Sequence, residues 1–224
     1  TIVTTETIKT IAERNGVEMY DVYTGFKWIA NVMRENEGKK NYIGGGEESY
    51  GFLCEDFVRD KDAVSACVIL AEIAAWAKDQ GLSLYQLLQK IYVEYGFSKE
   101  KGISVVKKGK SGAEEIEAMM KKFRENPLTE IAGSKVTYFY DYSTLKGKDY
   151  AENETVTLDM PTTSNVLQYF TEDNTKVSIR PSGTEPKIKF YCEVHSKVKS
   201  IDELPEAEKA AEEKINQIKA SLGI

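Results

Sequence analysis

Short apolar runs alternate with helical patterns along the first part of the chain. Runs at Ile2–Thr4, Val17–Val22 and Tyr42–Ile43 predict three strands. Between them, apolar residues recur every three or four positions, which predicts two amphipathic helices. Thr5 is expected to cap the first helix, and Thr24-Gly25 forms the turn into the second. This order of strands and helices is typical of a parallel α/β layer.

Two further helices are predicted before the pattern changes. Asp62–Lys78 is long and strongly apolar, and Leu84–Tyr95 ends at Gly96. The simplest interpretation of both is that they pack in the core. We therefore expect a first domain over residues 1–97 with a three-layer, mixed or parallel sheet.

The second half of the chain has a different sequence pattern, in which polar strands predominate. A charged helix is predicted from Ser111 to about Glu125, and a final helix from about Leu204 to Leu222. The strand candidates are Lys135–Tyr142, Glu154–Leu158, Asn165–Phe170, Lys176–Arg180 and Ile188–Val194. Strands that follow one another without intervening helices favour an α+β domain with a mainly antiparallel sheet. We assign it to residues 98–224.

Composition narrows the classes of function. The chain has 224 residues and a formal net charge of −6, with 41% hydrophobic residues. No apolar run reaches membrane-spanning length, and a mildly acidic chain is unlike a general nucleic-acid binder. Cys54, Cys67 and Cys192 are far apart and predict reduced thiols rather than a zinc site or disulfides. His195 alone offers an imidazole, and a packed or surface position is favoured.

The segment Arg180-Pro-Ser-Gly-Thr-Glu-Pro-Lys187 lies between two predicted strands. Arginine presents a planar fork of donors to phosphate oxygens, and lysine adds a second positive charge. Hydroxyls and a glycine let the loop approach an oxyanion closely, and the prolines stiffen both ends. The candidate phosphate-binding residues are Arg180, Ser182, Gly183, Thr184 and Lys187. A plain β-turn is the alternative.

A glycine-rich turn, Gly44-Gly-Gly-Glu-Glu-Ser-Tyr-Gly-Phe52, carries the second candidate site. Carboxylate oxygens accept hydrogen bonds from vicinal hydroxyls, which suits a sugar ring. Glu47 and Ser49 are therefore candidate substrate contacts. A solvated acidic turn, or a helix N-terminus enriched in glutamate, would explain the same residues.

Two further segments complete the set. Asp56–Asp62 places Arg59 and Lys61 before the long apolar helix, although a helix start capped by Asp60 or Asp62 explains this segment equally simply. Tyr23–Lys27 lies at a strand-to-helix turn, where α/β folds place ligand contacts.

In this order the four segments resemble the phosphohexomutase family, the phosphoglucomutases and phosphomannomutases. Gly46-Glu-Glu-Ser-Tyr-Gly51 is similar to its sugar-recognition loop, and the Arg180–Lys187 segment to its C-terminal phosphate-binding loop. Thr24-Gly-Phe-Lys-Trp28 and Val58-Arg-Asp-Lys-Asp-Ala63 also match, and the phosphoglucomutase/phosphopentomutase branch is most similar. The resemblance covers nearly the whole chain, as most of the third and the whole of the fourth of four domains.

The resemblance implies an isomerase of carbohydrate metabolism, a phosphotransferase that moves a phosphoryl group within hexose phosphates through glucose 1,6-bisphosphate. Its phosphorylated serine and its Mg²⁺ loop belong to domains whose motifs are missing here, and Thr163-Ser-Asn165 is no substitute for the serine loop. It implies substrate contacts at the residues Thr24, Gly25, Glu47, Ser49, Arg59 and Lys61. Lys61 is also the one candidate catalytic residue, and the resemblance extends to Lys27, Arg59 and Lys187 as further contacts.

We expect an enzyme that is a phosphoprotein and lies in the cytoplasm. Its expected partners are sugar phosphates and the N-terminal domains of the same polypeptide. It is not expected to bind nucleic acid or a membrane. The chain begins inside an apolar strand pattern without Met, which favours a piece of a longer chain that is inactive alone. The alternatives are a free-standing module that binds sugar phosphates without catalysis, and a structural protein with ordinary turns.

Overall fold

The computed structural model describes residues 1–107, 109–183 and 185–224, and only the backbone of Lys110. The chain divides into two compact units, Thr1–Gly96 and Phe97–Ile224. Each unit has its own core, and each is described below by itself.

The first unit contains four helices and one short hairpin. The helices are α1 (Glu6–Arg14), α2 (Phe26–Glu35), α3 (Ala63–Asp79) and α4 (Leu84–Tyr95), and the hairpin strands are β1 (Gly44–Gly46) and β2 (Phe52–Cys54). Thr5 caps α1 by accepting from the Thr7 amide, and Ser83 forms a capping box with Gln86 at α4. One cluster of buried side chains packs α2 against β2: Val22, Phe26, Ile29, Met33 and Leu53.

The described residues of the first unit do not form the predicted parallel sheet as a regular ladder of hydrogen-bonded strands. Ile2–Thr4 forms a turn closed by the Thr4 amide on the Thr1 carbonyl, 2.8 Å. The Ile2 amide donates to the Val22 carbonyl at 2.9 Å, so the two segments lie side by side. Neither segment forms a strand in the described structure, so the prediction of strands at these two segments was wrong. The α/β class itself is confirmed.

The expectation that α3 and α4 pack in the core was also wrong, since none of the described residues of α4 is buried. In the described chain Ala77 is the one buried residue of α3. Its exposed large apolar residues are Val64, Val68, Leu70, Ile73 and Trp76. The reason is the missing ladder, because a helix that is apolar on every side needs a sheet as well as a neighbouring helix to cover it.

The second unit is built on a strongly paired antiparallel sheet, as predicted. Its strands are β3 (Phe97–Val106), β4 (Glu130–Ile131), β5 (Ser134–Asp141), β6 (Lys146–Asp149), β7 (Glu154–Thr157), β8 (Leu167–Thr171), β9 (Lys176–Pro181) and β10 (Lys187–Ser196). The order across the sheet is β3-β10-β9-β8-β5-β6-β7, with β4 paired to β5. The helices are α5 (Gly109–Glu125) and α6 (Leu204–Leu222), with a short 3₁₀ turn at Ile201–Glu203.

The two faces of this sheet differ in chemistry. Alternate residues of β10, such as Ile188, Phe190 and Cys192, are buried with Ile215 and Ile218 of α6. The opposite face carries polar and aromatic side chains. Ladders of this length fix the register of β9 and β10, and therefore fix the loop that joins them.

Candidate functional site

Glu47 and the amino end of α2 form the centre of the site in the first unit. Gly25 is the N-cap of α2 and has φ of 120°, a conformation that favours glycine. Its amide donates to Glu47 Oε1 at 2.8 Å. Glu47 begins the turn between β1 and β2, and its own amide donates to the Gly51 carbonyl at 2.7 Å. A turn carboxylate is thus held at a helix amino end, where the helix dipole stabilises negative charge.

Lys61 approaches the same carboxylate from the other side. Its Nζ lies 3.5 Å from Glu47 Oε2, and the Glu47 side chain is only 6% exposed against 52% for Lys61. A Cβ at Gly51 would stand 2.9 Å from Lys61 Cδ and 3.1 Å from Glu47 Oε2. A side chain at this position would therefore have to displace Lys61 or Glu47, and Lys61 keeps half of its surface open to a ligand.

The start of α3 fixes the chain position of Lys61. Asp62 is the N-cap and accepts from the Ser65 amide at 2.8 Å. This backbone hydrogen bond lowers the pKa of Asp62 below its ordinary value. The capping interpretation of this segment is thus correct for Asp62, and it is compatible with a ligand role for the residue before it.

An open cleft of about 740 Å³ lies beside this centre. Its charged and polar lining residues are Lys27, Asn31, Arg34, Glu37, Arg59, Asp60 and Lys61. Arg59 is held by Glu37 at 3.1 Å, an exposed ion pair that contributes little to stability. Four cations against two carboxylates make the cleft basic on an acidic chain, which suits a small anion.

The structure thus brings Gly25, Glu47 and Lys61 together, with Arg59 on the wall of the cleft. Thr24 is half-buried next to Gly25 in the chain, and Ser49 is exposed in the turn of Glu47. A separate cavity of about 420 Å³ lies between α1, α2 and residues 16–20. Its walls are mainly apolar, and none of the predicted substrate residues lines it.

The predicted phosphate loop connects β9 to β10 in the second unit. The Ser182 amide donates to the Lys187 carbonyl at 2.8 Å, and the Ser182 hydroxyl accepts from the Glu185 amide at 3.3 Å. The Lys107 amide holds the outer side of the loop through the Pro186 carbonyl, 2.9 Å. These bonds brace a tight loop on a rigid hairpin. Thr184, also predicted here, lies outside the described residues.

Positive charge collects on one side of this loop. Lys189 is the cross-strand partner of Arg180, so the two side chains stand on the same face. Lys187 pairs with Glu185, and this contact, with a smaller effect of Lys189, lowers the pKa of the Glu185 carboxyl. Gly183 is exposed, and among the described atoms a Cβ there would meet nothing within 4 Å.

One residue of the sites, Lys189, was missed by the sequence reasoning. Lys189 could have been found from the period of two along β10, which places it on the face of Lys187. Glu48, which the sequence places in the same turn as Glu47, has partners that are distant in sequence: Thr1 Oγ1 donates to its Oε2 at 3.3 Å, and Thr4 Oγ1 at 3.4 Å. These contacts tie the turn of Glu47 to the start of the chain.

No metal site was predicted in this chain. Across residues 1–107, 109–183 and 185–224, no three His, Cys, Asp or Glu side chains cluster as metal ligands would. The same residues contain no helix with the length and apolarity needed to cross a bilayer.

Comparison with known proteins decides the family. Residues 1–95 match the family model described as phosphoglucomutase/phosphomannomutase, alpha/beta/alpha domain III. Residues 104–211 match the C-terminal domain of the same family. The chain belongs to the phosphoglucomutase/phosphomannomutase family. The resemblance seen in its four motifs is confirmed.

Curated phosphoglucomutases of staphylococci are similar over most of the chain. The phosphoglucomutase of Staphylococcus haemolyticus strain JCSC1435 is 37% identical over 194 residues, which cover 87% of this chain and 35% of the relative. That of Staphylococcus aureus strain bovine RF122 is 40% identical over 190 residues, 85% of this chain and 34% of the relative. The chain thus spans about a third of the length of these phosphoglucomutases.

A solved structure shows the same fold. The open form of the Paramecium exocytosis-sensitive phosphoprotein parafusin, a phosphoglucomutase, aligns with a TM-score of 0.57 at 20% identity. The alignment covers 88% of this chain and 32% of that one. At this identity the likeness supports the arrangement of elements, and the family assignment rests on the sequence matches.

Proposed function

We propose that this chain is the substrate- and phosphate-binding C-terminal part of a phosphoglucomutase-type isomerase, which interconverts hexose 1-phosphate and hexose 6-phosphate. The observation that carries the proposal is the arrangement of Glu47 between the Gly25 amide and Lys61, beside a basic cleft. Such an arrangement presents the half-exposed Lys61 ammonium to an anion in the cleft, and the exposed Ser49 hydroxyl to a sugar hydroxyl.

In this proposal each loop has its own task. Glu47 and Ser49 hold ring hydroxyls, and Lys61 lies next to the reacting end of the sugar. Arg180, Ser182 and Gly183, with Lys187 and Lys189, hold the phosphate that is not reacting. Fixing both ends supports catalysis because phosphoryl transfer depends on positioning and charge neutralisation.

The reacting groups belong to other parts of the enzyme. A phosphoserine beyond this chain gives its phosphoryl group to one sugar hydroxyl, glucose 1,6-bisphosphate forms, and the other phosphoryl group returns to the serine. When bound, Mg²⁺ neutralises charge on the transferred group. The described residues lack a cluster that fits Mg²⁺, so the proposal assigns the ion, like the serine, to residues outside this chain. A cytoplasmic location completes the proposal.

Titration of this chain with glucose 1-phosphate tests the proposal. Amide resonances of Gly25 and Gly183 should shift at millimolar ligand, because one borders the sugar turn and the other the phosphate loop. Neutral glucose serves as the control for the phosphate loop and should leave Gly183 unchanged. Unchanged amides at both glycines with glucose 1-phosphate would contradict binding and favour a purely structural role.

Activity separates the enzyme from a free-standing sugar-phosphate-binding module. Phosphoglucomutase activity should be present in the full polypeptide that carries this chain and absent from residues 1–224 alone. Binding without activity in the full polypeptide would favour the module.

A further inference from the structure

The cleft beside Glu47 follows α2 along its length. Its lining begins at Gly25, the N-cap of the helix, and continues to Glu37, just beyond the C-terminal end. The 10 residues of α2 rise about 15 Å, so the cleft extends well past the Gly25 end, where Glu47 and Lys61 lie. The proposed function gives a task to that end alone. Further along the helix, the polar side chains that line the cleft are Lys27, Asn31 and Arg34.

Two of the four cations in the cleft are not neutralised by a carboxylate. Arg59 and Lys61 each have a carboxylate partner, at 3.1 and 3.5 Å. Lys27 and Arg34 are both exposed, and neither forms an ion pair with a carboxylate of the described residues. Lys27 Nζ rests over the Trp28 ring, 4.9 Å from its centroid, and Arg34 donates to a neutral amide oxygen. The cleft therefore has positive charge left over for a ligand.

Lys27 is also placed against the helix dipole. It lies in the first turn of α2, where a positive charge is unfavourable, and that turn contains no acidic residue to offset it. A contact with the exposed edge of an aromatic side chain compensates only weakly. Arg34 lies in the last turn, where the dipole favours a cation. The dipole thus accounts for Arg34 but not for Lys27, whereas an anion beside the first turn would stabilise Lys27 and the helix together.

The Arg34 guanidinium is held in a direction that faces Lys27. Its Nη2 donates to Asn31 Oδ1 at 3.0 Å, and Asn31 Nδ2 donates to Glu35 Oε1 at 2.7 Å. The bond to Asn31 turns the guanidinium back along the helix, and Asn31 is about one turn from Lys27. At these spacings Lys27, Asn31 and Arg34 share one face of α2. Two cations on one face can therefore reach the same small anion.

We propose that Lys27 and Arg34 form an anion site on this face of α2, which binds the phosphate group of a small molecule. The inference goes beyond the proposed function, which gives neither residue a task. A phosphate group suits the site because its oxygens accept from a planar guanidinium fork and from an ammonium at the same time. A neutral sugar offers nothing that two cations would bind.

Titration of this chain with inorganic phosphate tests the inference, with sodium chloride at equal ionic strength as the blank. Arg34→Gln and Lys27→Gln each remove one cation. Lys9→Gln is the matched control, because Lys9 is an exposed cation of α1 outside the lining of the cleft and its loss changes the net charge equally. The readouts are the Asn31 amide resonance and the Kd, and thermal unfolding shows that each variant is folded.

Millimolar phosphate should shift the Asn31 amide, and sodium chloride and neutral glucose should not. Arg34→Gln and Lys27→Gln should each weaken phosphate binding about tenfold, the loss expected for one charge-assisted hydrogen bond. Lys9→Gln should change the Kd by less than about twofold, because an exposed charge outside the cleft is screened by salt.

Glucose 1-phosphate distinguishes the two sources of the phosphate group. If it displaces inorganic phosphate from the Asn31 amide, the sugar phosphate is an occupant of the site. If inorganic phosphate stays bound, the occupant is the free ion. Either result supports an anion site on this face.

Two results would overturn the inference. An Asn31 amide that phosphate does not shift would mean that the face binds no anion. An equal loss of affinity in Lys9→Gln and Arg34→Gln would mean that net charge attracts phosphate without a site. Both results are independent of the Gly25 and Gly183 amides, whose response to glucose 1-phosphate tests the proposed function.

Discussion

The Gly25 amide and Glu47 Oε1 are joined by a hydrogen bond of 2.8 Å that ties the sugar turn to the amino end of α2. The carboxylate is almost fully buried, so a lost partner is not replaced by water. Glu47→Ala should therefore destabilise this chain by about 1–3 kcal/mol and accelerate hydrogen exchange at the Gly25 amide.

Glu47→Gln is the matched control for that prediction. The amide oxygen still accepts from Gly25, whereas the charge that attracts Lys61 is gone. Exchange at Gly25 should remain slow in this variant. If both variants exchange like wild type, the hydrogen bond does not hold the turn.

Replacing two glycines of the second unit by alanine should have different effects on stability. A Cβ at Gly147 would stand 2.4 Å from Tyr140 Cδ1 and 3.0 Å from the Phe139 carbonyl oxygen. Gly147→Ala should destabilise by about 1–3 kcal/mol through overpacking. Gly183→Ala should leave the free energy of unfolding within about 0.5 kcal/mol, because nothing described crowds it.

The effect of Gly183→Ala on ligand binding should differ from its effect on stability. If Gly183 lets a phosphate group come close to the backbone, Gly183→Ala should weaken the binding of glucose 1-phosphate about tenfold without changing the stability of the chain. Calorimetric titration and urea unfolding of the two variants measure both quantities. Equal affinity for Gly183→Ala and wild type would remove this glycine from the site.

Lys176 and Glu193 form a buried ion pair across β9 and β10. Their atoms Nζ and Oε2 are 3.2 Å apart, and their side chains are 3% and 5% exposed. Lys176→Met should destabilise by about 3–5 kcal/mol, because it leaves a buried carboxylate without its cation.

The double variant Lys176→Met with Glu193→Leu should recover most of that loss, since an apolar pair needs no desolvated charges. Urea unfolding of the single and double variants gives the comparison. A double variant as unstable as the single one would show that the charge on Glu193 is not the origin of the loss.

The burial of Cys192 should make the free energy of unfolding depend on pH. Burial raises the pKa of its thiol from 9.0 to about 12. The folded chain therefore binds this proton more tightly than the unfolded chain does. The resulting stabilisation is complete below pH 9 and is lost as the pH rises from 9 towards 12.

Alkylation and alkaline unfolding test this prediction together. Iodoacetamide at pH 8 should label the exposed Cys67 and spare Cys192 in the folded chain. Cys192→Val should lose less stability between pH 9 and 11 than wild type. Rapid labelling of native Cys192 would contradict its burial.

The helices and the antiparallel strands of the second unit follow from local signals. The helix over Leu84–Tyr95 was predicted with its end at Gly96, and the residue patterns of β9 and β10 identified both strands. The parallel layer could not be predicted in the same way. An apolar run such as Val17–Val22 becomes a strand only if neighbouring strands complete the ladder.

The residues of the candidate sites likewise fall into those that local sequence signals identify and those that only the folded structure identifies. Glu47, Lys61 and Arg180 belong to contiguous motifs, and residue chemistry at fixed spacing was enough to select them. The approach of Lys61 to Glu47 over Gly51 depends on how two loops fold together. Lys189 follows from the period of two along β10, but its pairing with Arg180 required the register of two strands. That register cannot be read from composition or period.

The most direct test of the account is the kcat/KM of the full polypeptide for glucose 1-phosphate with Arg180 replaced by alanine. Lys101→Ala, which removes an exposed charge elsewhere on the same sheet, is the control. We expect a loss of about 100-fold or more for Arg180→Ala, because the phosphate that is not reacting loses its bidentate partner, and no loss for Lys101→Ala. A kcat/KM equal to wild type in Arg180→Ala would contradict the assignment of this loop as the phosphate anchor.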